Sequence, residues 1–116
     1  MEFSFSEDQI VIRNLANQII CDRSTDDFLR KFSESDEAYD QVLWTLLAEA
    51  GLLGLALPAK VGGSDFGLLE VCQVLETIGK YLAPVPYLAS VVLAGSSIAE
   101  FGNEEQQKRF LEPLIN

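Results

Sequence analysis

At 116 residues with 48% apolar side chains, the chain is long enough for one compact domain that buries roughly two thirds of its unfolded surface. Eighteen acidic residues against eight basic ones give a formal charge of -10, which repels a nucleic-acid backbone or an anionic membrane face, so neither is an expected partner. There is no histidine, which excludes zinc sites of the Cys/His kind and Ser-His or Cys-His catalytic pairs within these residues.

The first element opens at "SEDQIVIRNLANQII", where Ser6 and Gln9 have the spacing of a capping box and Glu7 and Asp8 suit the positive end of a helix dipole. Val11, Ile12, Leu15, Ala16 and Ile19 then mark one apolar helix face, with Phe3 and Phe5 ahead of the cap expected to staple it. "STDDFLRKF" repeats the pattern in short form, with Ser24 or Thr25 as cap, two aspartates in the first turn and Phe28, Leu29 and Phe32 facing inward. "SESDEAYD" is acidic and aperiodic, and reads as a surface loop.

From Asp40 the helical pattern resumes as "DQVLWTLLAEAG", with Gly51 placed to end it in a left-handed residue. "FGLLEVCQVLETIG" gives another helix, with Leu68, Val71, Cys72, Leu75 and Ile78 inward and Gly79 at its end. In "VPYLASVVLAGSSIAEFG" Pro86 suits a first turn and Gly102 the exit. The last element, "NEEQQKRFLEPLIN", has Asn103 as cap, Gln106 three residues on and Glu104 and Glu105 at the positive end. Six helical segments and no period-2 strand predict a single all-α domain over residues 1–116.

Cys21 and Cys72 sit among apolar residues, which reads as two buried structural thiols. No stretch approaches the ~20 apolar residues that cross a bilayer. The start "MEFSFSEDQ" lacks the basic and then apolar order of a secretory signal, so a cytoplasmic protein is expected.

The stretch Leu47 to Gly67, "LAEAGLLGLALPAKVGGSDFG", admits two readings. It could be a strand, a phosphate-cradling glycine loop and a helix, or two helices joined by a tight glycine corner. Against the first, a Walker loop needs Lys and Ser/Thr after its glycines, whereas Gly67 is followed by Leu68 and Leu69. A dinucleotide fold also needs further strands, and Asp65 would repel a phosphate. The helical corner is the reading that stands.

The order of these pieces resembles the flavin-dependent acyl-CoA dehydrogenases, specifically their N-terminal helical domain. The resemblance is carried by "FSEDQIVIRNLANQI", "WTLLAEAGLLGLALPAKVGG", "VLETIGKYLAPVPYLASVVLA" and "FGNEEQQKRFLEPLI", and covers essentially the whole chain. Two departures leave subfamily and substrate open. Pro58-Ala59 stands where the family commonly has Pro-Glu before the glycine pair, and Glu76-Thr77-Ile78-Gly79 stands where many members show Glu-Glu-x-x-Gly.

The resemblance implies a parent enzyme that oxidises the α,β bond of an acyl-CoA thioester to a trans-2-enoyl-CoA, with FAD as cofactor and an electron-transferring flavoprotein or similar acceptor. It further implies a homo- or hetero-oligomer of full-length subunits. The flavin and the catalytic carboxylate belong in the family mainly to a middle β-domain and a C-terminal helical domain outside these residues, so no catalytic, flavin-binding or metal-binding residue is assigned here. Glu7, Glu104 and Glu105 are accounted for as helix-end charges, and Glu49 and Glu76 as solvated. The resemblance places Ala89, Ser90 and Leu93 on the wall of the acyl pocket, where the small Ala89 and Ser90 would leave depth for a long or bulky acyl group, with ordinary core packing of an apolar helix as the alternative for each. A free-standing acidic helical adaptor or non-catalytic partner subunit is the alternative.

Overall fold

The computed structural model describes residues 2–116. These contain six α-helices and no strand: α1 (Glu7–Arg23), α2 (Asp26–Ser33), α3 (Gln41–Glu49), α4 (Leu68–Tyr81), α5 (Ser96–Phe101) and α6 (Glu104–Ile115). A 3-10 turn, Ala59–Val61, stands before α4, and a π-helix, Leu88–Gly95, runs directly into α5.

Most helix starts follow from local chemistry. In α1 the Ser6 hydroxyl accepts the Gln9 N–H at 3.2 Å while the Gln9 carboxamide oxygen accepts the Ser6 N–H at 3.0 Å. Asn103 and Gln106 form the same reciprocal pair at α6, at 2.8 and 3.0 Å. Thr25 caps α2 through the Phe28 N–H, and Asp40 caps α3 through the Leu43 N–H. Each cap satisfies a backbone donor that has no partner inside its helix.

α1 and α4 lie side by side and run parallel, tied at one end by Gln9 to Glu70 (3.4 Å) and at the other by Tyr81 to Asn17 (3.1 Å). Their seam and α3 enclose the main core, which includes Ile12, Ala16, Ile20, Leu43, Leu47 and Val74. A second cluster, Leu57, Val61, Leu111 and Ile115, lies under α6. The whole is a slab of 42 × 40 × 20 Å, so a large share of its helix surface is open.

That thinness corrects several sequence expectations. Val11 (63% exposed), Leu15 and Leu68 face outward, and Phe3 and Phe5 are exposed instead of stapling α1. Cys72 is exposed and Cys21 half-buried, so neither is the fully buried thiol expected. The inward positions on α4 include the polar Gln73 and Thr77. α4 also runs two residues past Gly79 and ends at Leu82, a leucine in the left-handed region at φ +52°.

The glycine corner is a closed knot of backbone. The Gly62, Gly63, Ser64, Asp65 and Phe66 amides donate to the carbonyls of Ala59, Pro58, Gly54, Leu57 and Leu55, and the Asp65 carboxylate accepts the Ala59 N–H at 3.1 Å. Donors spent in this way cannot cradle a phosphate. Gly62 needs its freedom for φ +98°, whereas Gly63 is required by contact: a Cβ there would stand 2.1 Å from the Leu57 carbonyl oxygen.

Candidate functional site

The segment "LAPVPYLASVVLAG" builds the site from a stiff approach followed by an unusual helix. Two prolines fix the backbone direction of its first part. The Pro84 carbonyl accepts the Asp40 N–H at 2.9 Å, which ties this approach to the start of α3. Asp40 is itself held by Arg23 at the end of α1, through Nε to Oδ2 at 2.8 Å and Nη2 to Oδ1 at 3.0 Å. This is the one ion pair among the described residues, and Asp40 is 1% exposed.

Burial pushes the Asp40 carboxyl up, but the hydrogen bonds from Arg23 and the Leu43 N–H, with the guanidinium charge, outweigh it and leave the group below its ordinary value. The Arg23 guanidinium, held by the same bond, is raised above its own. Arg23 also lies over the Phe28 ring at 4.3 Å, which ties α2 to the same point.

Tyr87 opens the helix. It is completely buried, and its hydroxyl donates to the Leu52 carbonyl at 2.8 Å. Burial pushes the phenol up, so it remains a donor throughout the physiological range. From Leu88 to Gly95 the backbone is π-wound, a geometry that mostly occurs as single-turn bulges and often at functional sites. Tyr87, Val91 and Gly95 face the core, while Leu88, Ala89, Leu93 (61% exposed) and Ala94 face solvent.

The three residues singled out for the acyl wall therefore do not share one cavity. Ala89 and Leu93 lie on the open face, and Ser90, half-buried, lines a groove of about 800 Å³ together with Tyr39, Trp44, Pro86, Phe110 and Pro113. Tyr39 and Trp44 meet edge to face with ring centroids 6.3 Å apart, giving that groove an aromatic side. Glu49 is its one carboxylate side chain and is exposed.

No group of three or more metal-ligating side chains occurs among the described residues. The groove carries no basic side chain to meet a flavin pyrophosphate, and Arg13 and Lys80 line a separate cleft between α1 and α4 beside Glu76. The residues present do not make a flavin site by themselves. What the arrangement offers is an exposed apolar helix face beside a groove with an aromatic side.

The sequence reading missed the Arg23–Asp40 pair and the Tyr87 anchor. Asp40 marked where the helical pattern resumes, but nothing local couples it to a residue 17 positions earlier. A tyrosine between prolines and an apolar run is the only trace that Tyr87 leaves in the sequence.

Residues 6–116 match the family model described as acyl-CoA dehydrogenase, N-terminal domain. The chain is 38% identical over 108 residues to acyl-CoA dehydrogenase FadE27 of Mycobacterium tuberculosis, a match covering 93% of this chain and 29% of that protein. The crystal structure of the ChsE4-ChsE5 complex from Mycobacterium tuberculosis superposes with a TM-score of 0.92 at 36% identity, over 99% of this chain and 32% of that one. A structure described as the Tcur3481-Tcur3483 steroid ACAD superposes at 0.88 and 39% identity, over 94% and 30% respectively. The chain thus spans less than a third of the length of these relatives.

Proposed function

We propose, from the premise that this chain belongs to the acyl-CoA dehydrogenase family as its N-terminal domain, that it forms one wall of the acyl pocket in an enzyme oxidising an acyl-CoA thioester to a trans-2-enoyl-CoA. The observation that carries this reading is the open, uncharged face of the π-helix, where Ala89 and Leu93 stand exposed on a slab only 20 Å thick. An apolar surface left open in this way calls for an apolar partner.

In this reading the middle β-domain and C-terminal helical domain lie outside these residues and hold most of the FAD, which supplies the oxidant. The contribution of this chain is steric and dielectric. Ala89 and Leu93 contact the acyl group and set its depth, and their apolar surface excludes water from the reacting carbons. The small side chain at position 89 favours a long or bulky acyl group. The subunits act as an oligomer in the cytoplasm, with an electron-transferring flavoprotein or similar acceptor removing the electrons. The exposed apolar face counts against a self-sufficient acidic adaptor, whose surface would be closed.

The test is Ala89→Phe in the full-length flavin-loaded enzyme. Filling the wall should lower kcat/KM for long or bulky acyl-CoA by about tenfold or more relative to short acyl-CoA, since each methylene of pocket space discriminates by about 1–3 kcal/mol. An unchanged chain-length profile removes this face from the pocket.

A further inference from the structure

The π-winding of residues Leu88–Gly95 is held from both ends. At its start the buried Tyr87 hydroxyl is bonded to the Leu52 carbonyl, on the segment that follows α3. At its end Gly95 is packed so closely that a Cβ would stand 3.2 Å from the Ser90 carbonyl oxygen and 3.3 Å from Leu114 Cδ2. The approach from the other side is fixed by the Asp40 N–H on the Pro84 carbonyl.

Winding decides which side chains line up. In an α-helix four residues overshoot a full turn by about 40°, so positions four apart drift round the axis. A π-helix takes more residues per turn through its i→i+5 bonds, and positions four apart stay close to one line. Along the segment Tyr87, Val91 and Gly95 form the inner row. Ala89 and Leu93 form the outer one, and in α5 the Ser97 hydroxyl donates to the Leu93 carbonyl at 2.6 Å, where the winding has returned to α.

We propose that Tyr87 is a specificity-positioning residue, whose buried bond to the Leu52 carbonyl holds the segment in the winding that presents Ala89 and Leu93 as one straight row to the acyl group. The inference rests on the acyl-wall reading above. Without the hydroxyl, the Leu52 carbonyl is left unpaired and the anchor is lost. The helix is then free to tighten toward α, and Ala89 and Leu93 rotate out of line.

The experiment is Tyr87→Phe in the full-length flavin-loaded enzyme, with Ala89→Phe and Ser97→Ala assayed in parallel on one short and one long or bulky acyl-CoA. Tyr87→Phe is expected to change the ratio of the two kcat/KM values by about fivefold or more, with the change residing in KM for the larger substrate. Flavin content should equal that of the parent, and backbone amides from Val91 to Ser97 should exchange hydrogen faster. If Ala89→Phe shifts the profile and Tyr87→Phe does not, the positioning role is overturned and the acyl wall stands. If Ala89→Phe has no effect, both fall. A uniform loss of kcat with loss of flavin is the signature of a purely structural tyrosine and also overturns the proposal. Should Tyr87→Phe fail to fold, the exposed Ser97→Ala carries the test, and an unchanged substrate ratio for it refutes the winding as a determinant.

Discussion

Replacing Asp40 with alanine removes three bonds at once: the two from Arg23, at 2.8 and 3.0 Å, and the α3 cap on the Leu43 N–H, at 3.2 Å. Loss of the cap costs about 1 kcal/mol. Breaking a buried pair by removing one partner costs about 3–5 kcal/mol when the remaining charge stays buried. Here the Arg23 side chain is already 32% exposed and can hydrate by turning outward, so its share falls to about 2 kcal/mol. A total near 3 kcal/mol, with a urea dependence of about 1.5 kcal/mol/M, lowers the unfolding midpoint by about 2 M. Trp44, the single tryptophan, stands four residues after Asp40 and reports the transition by fluorescence.

The same carboxylate contributes a pH dependence of defined sign. Its folded pKa is lowered, against about 3.9 in an unfolded chain. The stabilisation is therefore complete at neutral pH and is lost as pH falls through the folded value. Below about pH 4 the urea midpoints of the parent and Asp40→Ala should converge. A midpoint change under about 0.5 M at pH 7, or a gap that persists unchanged at pH 2, would show that the pair is not what joins α1 to α3.

Three further substitutions test the packing around the site. Gly63→Ala should cost about 3 kcal/mol or more, because its Cβ meets backbone at 2.1 Å, whereas Gly62→Ala should cost only about 1 kcal/mol from its left-handed φ, with nothing within 4 Å. Urea unfolding giving the reverse order refutes the account of the corner. Gln107→Ala removes the two bonds its carboxamide nitrogen donates to the Ala99 and Gly102 carbonyls, both at 3.1 Å, which hold the turn between α5 and α6. The expected loss is about 2 kcal/mol, or about 8 °C in Tm, and a drop under about 2 °C by calorimetry contradicts it.

The boundary between legible and illegible features follows the range of the interactions. The caps at Ser6 and Asn103 were readable because donor and acceptor lie three residues apart. The six helices and the all-α class were readable because helical periodicity is local. The choice of buried flank was not. Val11, Leu15 and Leu68 belong to apolar stripes wider than the α1–α4 seam, and a slab this thin leaves the surplus outside. Gln73 and Thr77 went unread as inner positions for the same reason, since the pattern ranks residues by polarity and the seam ranks them by direction.

The residues proposed for the acyl wall lie on this boundary. The sequence alone determined that a helical segment runs from Pro86 to Gly102 with small residues at positions 89 and 90, because periodicity and turn chemistry act over a few residues, but it carried no sign of the π-winding over Leu88–Gly95. Only the tertiary structure decided that Ala89 and Leu93 look outward while Ser90 enters a groove, since that depends on a π-winding pinned between Tyr87 on Leu52 and Gly95 on Leu114. Those contacts span 35 and 19 positions of chain. They exist only once the segment after α3 and helix α6 have packed on either side, and no local pattern encodes an anchor made by a distant backbone carbonyl.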